Sequence, residues 1–194
     1  MPRPYTLGKR AVAVAATRDR ILTAAIALYQ EHGVSGTSMQ QVARRADVAP
    51  GTVLNHFPDP DALARAVVDR LREDLHVPGS EIFTGLESVD ERLRRLAREL
   101  SEFYERSEPW YLVYVREGGQ IPAWAEAEQR FFDGIDRLMQ EALGELADNA
   151  TIRLAVSTLF EPGVLGGLTN KGLTSSDAGD FAADILLAWL TSVR

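Results

Sequence analysis

Residues 37–57 read Thr37-Ser-Met-Gln-Gln-Val-Ala-Arg-Arg-Ala-Asp47-Val-Ala-Pro50-Gly-Thr-Val-Leu-Asn-His-Phe57, and this stretch decides the fold. It specifies two short helices joined by a tight turn. Ser38 is placed to cap the first helix, with Gln41 three residues later, as a capping box requires. Met39, Val42 and Ala46 then share one helical face. Asp47 stands where that helix must end, and Asp tolerates the left-handed conformation better than most residues. Pro50 suits the first turn of the next helix, because its missing N–H would be unpaired there anyway. The second helix is barely two turns long and cannot stand alone, so a neighbour must hold it. Two short helices across a three- or four-residue turn form a helix-turn-helix, whose geometry presents side chains to the DNA major groove.

The flanking segments supply the support. From Arg20 to Gly33 the apolar residues Leu22, Ala25, Ile26 and Tyr29 form one stripe, and Gly33 marks a C-terminal stop. After the motif, Asp59 and Pro60 make an N-cap and first-turn pair, and Leu63, Val67 and Leu71 follow at four-residue spacing. Three helices and the start of a fourth therefore precede His76.

With these residues in place the chain resembles a known family. Arg20-Ile-Leu, Ala25, Leu28-Tyr29, His32-Gly33, Thr37-Ser38, Val42-Ala43, Ala46-Asp47-Val48-Ala49-Pro50-Gly51-Thr52, Asn55-His56-Phe57-Pro58 and Ala62-Leu63 look like the N-terminal domain of the TetR family of bacterial transcriptional regulators. The resemblance covers residues 17–65 and agrees in order and spacing. It implies a homodimeric regulator, most often a repressor, released from a pseudo-palindromic operator by a small-molecule effector. Thr52 and Asn55 are then the candidates for base edges, since Asn pairs bidentately with adenine, and Val53 or Leu54 for a thymine methyl. Ser38, Gly51 and His56 are expected at phosphate or sugar, with Thr37 and Pro50 in the same DNA-facing set. Three positions depart from the family pattern. Pro50 and Pro60 stand where Lys is usual, and Leu54 where Tyr is usual. Those positions commonly touch phosphates, so affinity must draw on other groups.

The charge distribution indicates which. Residues 1–56 carry seven basic side chains (Arg3, Lys9, Arg10, Arg18, Arg20, Arg44, Arg45) against three acidic ones (Asp19, Glu31, Asp47), a balance of +4. With the whole chain at −7, the remainder carries −11. A basic head is drawn to phosphate and an acidic body repelled from it, which orients the encounter. Arg44 and Arg45 are expected near phosphate. Arg3, Lys9 and Arg10 belong to residues 1–16, read as a flexible basic arm able to reach a minor groove, although the Ala-rich run from Lys9 also favours a backward extension of the first helix.

The rest of the chain reads as helices with no convincing strand. A charged amphipathic helix is expected over 87–107, a short apolar one from Pro109, a long one from Pro122 to about Leu146, one over 150–171 kinked at Pro162, and a last one over 177–193. The expected fold is all-α with about nine helices: the arm at 1–16, the helix-turn-helix domain at 17–58, a connecting helix at 59–76 and a ligand-binding and dimerisation domain at 77–194. Aromatics concentrate in its middle: Phe103, Tyr104, Trp110, Tyr111, Tyr114, Trp124, Phe131 and Phe132. Taken with the resemblance they are the candidate effector site, with the tyrosines as polar handles. The broad apolar arc of the last helix suggests burial on two sides, one of them against a second copy. Phe160, Gly163, Gly167, Ile185, Leu186, Trp189 and Leu190 are the candidate dimer contacts.

Other classes fit less well. The chain has 45% hydrophobic residues, no cysteine and only three histidines, so disulfides, thiolate chemistry and cysteine metal sites are excluded. No two histidines stand at metal-ligand spacing, and no P-loop, dinucleotide fingerprint or nucleophile elbow is present. Neither an enzyme nor a cofactor or metal is therefore expected. A ligand-independent architectural DNA binder would be basic throughout, against the −11 body. No apolar run approaches the ~20 residues that span a bilayer, so a soluble, cytoplasmic location is expected.

Overall fold

A computed structural model of the chain describes residues 5–117 and 121–193, with the side chains of residues 5–9, 112, 114, 115 and 193 outside that description. Among the described residues there are nine α-helices and no strand. They are α1 (Tyr5–His32), α2 (Met39–Arg45), α3 (Pro50–His56), α4 (Pro60–Asp74), α5 (Val89–Glu117), α6 (Pro122–Leu143), α7 (Ala150–Leu159), α8 (Pro162–Thr169) and α9 (Ser175–Val193). None of these helices is long and apolar enough to cross a membrane. The chain divides into two compact units, Met1–Arg72 with Pro109–Ala127, and Glu73–Glu108 with Glu128–Arg194.

In the first unit α2 packs on both α1 and α3. Ile21, Leu22, Ala25, Leu28 and Tyr29 of α1 are buried, as are Val42, Ala43 and Ala46, Val53, Phe57, and Leu63, Ala64 and Val67 of α4. Gly33 stops α1 at φ +78, with its N–H on the Tyr29 carbonyl at 2.9 Å. Only a residue without a Cβ takes that conformation without strain. Asp59 caps α4, its Oδ1 accepting the Ala62 N–H at 2.7 Å. Asp19 of α1 and Arg70 of α4 form an ion pair at 2.5 Å.

The second unit is organised by α5, whose Leu93, Leu96 and Leu100 are fully buried with Ile135, Leu138 and Leu143 of α6, Val156 of α7, Leu165 of α8, and Leu186 and Leu190 of α9. Each such aliphatic side chain stabilises the fold by about 1.5–3 kcal/mol relative to exposure. Ser88 and Glu91 form a capping box at the start of α5, with Ser88 Oγ donating to Glu91 Oε2 at 2.7 Å and accepting the Glu91 N–H at 3.2 Å. Arg92 Nε donates to the Ala142 carbonyl at 3.1 Å, at the end of α6. Helix α9 lies close on α5: a Cβ on Gly179 would stand 2.7 Å from the Ala97 carbonyl oxygen and from the Arg98 backbone. Beside it Arg98 Nη2 meets Asp180 Oδ2 at 2.7 Å, and Arg94 pairs with Asp184.

Several elements differ from the sequence expectation. The expected arm is helical from Tyr5. Residues 10–16 are exposed, Val12 by 70%, so propensity carries this segment, and Ala11, Ala13, Ala15 and Ala16 supply it. Pro109 does not start a helix but lies inside α5. A mid-helix proline removes one backbone bond and costs about 3 kcal/mol. Burial of Leu100 and Phe103 before it, and of Trp110 and Val113 after it, holds the helix across the defect. Pro162, expected to kink one long helix, opens a new one: α7 ends at Leu159 and Glu161 is extended at φ −73, ψ 154. The residue before a proline is pushed out of the α region, so a break is the lower-energy outcome here.

Candidate nucleic-acid interface

The two short helices are built as the local chemistry requires. Ser38 is extended at φ −96, ψ 153 and caps α2. Its Oγ accepts the Gln41 N–H at 3.3 Å, while Gln41 Oε1 accepts the Ser38 N–H at 2.7 Å. Asp47 turns the chain at φ 53, and the Val48 N–H closes on the Ala43 carbonyl at 3.0 Å. Pro50 then occupies the first turn of α3, with Ala49 extended before it. Helix α3 has no side-chain cap, so its hold on the head comes from Val53 and Phe57, four residues apart, exposed by 0% and 3%. Arg18 of α1 lies over the Phe57 ring, 5.1 Å from its centroid, a cation–π contact that closes the base of α3.

This anchoring fixes which face of α3 turns outward. Gly51, Leu54 and Asn55 fall at i, i+3 and i+4 and are all exposed, Leu54 by 49%. Thr52 and His56 are half-buried at the edges of that face. Nothing lies within 4 Å of a Cβ placed on Gly51, so the backbone there is open to close approach. Val53, a candidate for a thymine methyl, is core and cannot reach a base. Of the two, only Leu54 is exposed.

The polar candidates divide similarly. Thr37 donates its hydroxyl to the Gly33 carbonyl at 2.7 Å, and Ser38 Oγ donates to Gln41 Oε1 at 2.7 Å. Both hydroxyls are spent on shaping the turn, which demotes them as phosphate donors. Arg44 and Arg45 are exposed on α2. Arg45 Nη1 is drawn to Glu31 Oε2 at 2.6 Å, and its hydrogen bond holds the Glu31 carboxyl below the usual carboxylate range. Arg10 is exposed on α1. Arg3 and the Lys9 side chain lie outside the described residues. Burial pushes the Tyr29 hydroxyl up to about 12, which marks it as part of the head's core.

The eight aromatic candidates do not form one described cluster. Trp110 and Trp124 are buried in the first unit with ring centroids 5.9 Å apart. Among the described residues, Trp124 Nε1 is buried there without a hydrogen-bond partner. Phe103 and Phe131 stack at 5.1 Å in the second unit, with Tyr104 and Phe132 edge-on to them. Burial, and the negative charge of Glu161, push the Tyr104 hydroxyl well above its ordinary pKa, so it remains a neutral phenol. Tyr111 is 55% exposed and Phe132 51%, so neither lines a buried wall. The Tyr114 side chain lies outside the described residues.

The candidate dimer contacts also separate. Phe160, Leu186 and Leu190 belong to the core of their own unit, at 0%, 0% and 2% exposure. Their inward direction follows from the packing of α7, α8 and α9 on one another. Ile185 is 45% exposed and Trp189 half-buried, Phe181 (48%) extends that stripe of α9, and Leu154 of α7 is exposed by 66%. Phe181 is in the same stripe as Ile185 and was legible; Leu154 stands alone on α7 and carried no periodic signal. Among the described residues, no backbone outside their own helix lies within 4 Å of a Cβ placed on Gly163 or Gly167.

A three-helix head with an inner-anchored reading helix places the chain among helix-turn-helix proteins. Residues 21–67 match the family described as bacterial regulatory proteins, tetR family. That match lies in the head alone, which is similar to the DNA-binding domain of that family. The chain is 30% identical to the HTH-type transcriptional regulator RutR of Escherichia coli over 119 residues, which cover 60% of this chain and 56% of that protein. The chain thus aligns with little more than half the length of that curated relative. It is 24% identical to the HTH-type transcriptional regulator UidR of Escherichia coli over 173 residues, 89% of this chain and 87% of the relative. Among solved structures, the flavonoid-responsive regulator FrrA superposes with a TM-score of 0.70 at 22% identity, over 92% of this chain and 97% of that one. That likeness is one of fold.

Proposed function

We propose that this chain is a sequence-specific DNA-binding transcriptional regulator, acting as a homodimeric repressor that a small apolar or aromatic molecule releases from a pseudo-palindromic operator. The observation that carries this reading is the division of α3, with Val53 and Phe57 held inside and Gly51, Leu54 and Asn55 turned out. A two-turn helix anchored on one side presents its other side to the major groove, and Asn55 reads adenine there. Arg44 on α2 supplies phosphate attraction, joined by Arg10 from α1. Both relatives named above are called HTH-type transcriptional regulators, which supports the DNA-reading half. The flavonoid-responsive neighbour supports an aromatic class of effector, as does the aromatic content of α5 and α6.

A dimer is required because one head reads too few base pairs, and two heads reading half-sites one turn apart, roughly 34–36 Å, double the contact. The exposed Leu154, Phe181 and Ile185, with the half-buried Trp189, are the surface assigned to it. The test is selection of duplexes from random-sequence DNA by the full chain, with light scattering for mass. The expected product is a pseudo-palindrome bound by two copies. Retention of random duplexes without enrichment refutes the reading.

A further inference from the structure

Helix α5 ends at Glu117, and the Glu117 carboxylate lies in the turn that leads from α1 into α2. Its Oε2 accepts the Ser35 N–H at 2.7 Å. A Cβ on Gly33 would fall 2.7 Å from Glu117 Cδ and nearer still to Oε1. The carboxylate therefore fills the space that a side chain at position 33 would take. The Gly33 carbonyl in turn accepts the Thr37 hydroxyl at 2.7 Å, and the Thr37 N–H donates to the Val34 carbonyl at 3.1 Å. The next residue, Ser38, is the cap of α2. The end of α5 is thus tied directly to Gly33 and Ser35, and through the Gly33 carbonyl to Thr37, the residue before the α2 cap. An amide held by a carboxylate is among the stronger neutral-donor hydrogen bonds.

We propose that Glu117 is a positioning residue for the reading head: by filling the niche at Gly33 and holding the Ser35 amide, it sets the start of α2 and so the presentation of α3 to DNA. The inference rests on the DNA-reading function proposed above and adds a control point to it. Trp110 lies seven residues earlier on α5, on the same helical face about 10 Å away along the axis, and is buried beside Trp124 in the same unit. Two turns of one helix move together. A displacement of Trp110 is therefore felt at Ser35, and fixing Ser35 on DNA is felt at Trp110, as linkage demands.

The test uses the full chain, a duplex that the wild type selects from random-sequence DNA, and a scrambled duplex of the same composition. Glu117→Ala is expected to weaken the selected duplex about tenfold, the order expected for a lost hydrogen bond to a charged group. It should change the scrambled duplex little and speed hydrogen exchange at the Ser35 amide. Glu117→Gln keeps an oxygen that accepts the same N–H, and should recover most of the affinity and protection. Wild-type affinity in Glu117→Ala, an equal loss on both duplexes, or no recovery in Glu117→Gln would each overturn the proposal. If the wild type selects no duplex, the DNA-reading function falls separately. Exchange at Ser35 then decides the contact, and unchanged protection in Glu117→Ala overturns it.

Discussion

Leu54 is the residue at which the inside and the outside of the reading helix are most directly separated by experiment. It lies next to Val53, and both are aliphatic, yet Val53 is fully buried and Leu54 is 49% exposed. Val53→Ala removes two methyl groups from a packed interior. At about 0.8 kcal/mol per buried carbon plus a cavity term, the expected loss of stability is about 2–3 kcal/mol. Leu54→Ala removes surface that is half in water, so stability should change by less than about 0.5 kcal/mol. Its cost appears on DNA instead. Burying the open half of a leucine against a thymine methyl contributes about 1 kcal/mol, or about fivefold per half-site and roughly thirtyfold for two symmetric half-sites. The assay is fluorescence anisotropy on the selected operator and on the same duplex with deoxyuridine for thymidine, which deletes only the methyl group. Leu54→Ala and deoxyuridine should each weaken binding, and together no more than either alone, because they remove the same contact. Additive losses, or a fall in thermal stability of Leu54→Ala matching that of Val53→Ala, would refute the assignment of faces.

Asn55→Ala should cost about 1–3 kcal/mol on the selected duplex and relax preference at one base pair, with little change on scrambled DNA; equal loss on both would make Asn55 a backbone contact. Phe181→Asp with Ile185→Asp should convert the dimer to a monomer by light scattering while far-ultraviolet dichroism is kept, because both side chains are exposed in the single chain; an unchanged mass would place the interface elsewhere. The Glu91 carboxyl is held below its ordinary pKa by hydrogen bonds from the Ser88 hydroxyl and amide. Its contribution to stability is therefore present above the unfolded carboxylate pKa and fades as pH falls through the lowered one. Glu91→Gln should remove that part of the acid sensitivity in a urea titration repeated across pH, and an identical pH profile would show that the box titrates nothing.

The helix-turn-helix was legible because its determinants are local. Ser38 with Gln41, Asp47 and Pro50 each act within four residues, and their conformations follow from their own chemistry. The rotation of α3 was not legible, since Val53 and Leu54 are adjacent and seven residues hold too few apolar positions to set a phase. Phe57, one step beyond the helix, sets it. The capping box of Ser88 and Glu91 has the same local spacing and is equally legible. Pro109 misled for the opposite reason: its local signal is genuine, but the burial on both sides is stronger. The aromatic run of α5 and α6 reads as one group along the chain, yet its members divide between two units at Pro109 and Glu128. The Glu117–Ser35 contact joins residues 82 apart and leaves no periodic trace.

The approach of Gly179 to the backbone of Ala97 and Arg98 restricts more than one contact. With no side chain between the two helices there, α9 has no room to roll about its own axis, and the pairings of Arg98 with Asp180 and Arg94 with Asp184 stop it sliding along α5. At about 100° per residue, Phe181 and Ile185 stand roughly 200° and 240° around the helix from Gly179. Their outward heading is thus dictated from behind, by a missing methyl group on the far side of the helix. Substituting even alanine at 179 would rotate or lift the whole outer surface of α9 without touching a residue on it, so a change in how two copies recognise one another could arise at a position neither copy ever meets.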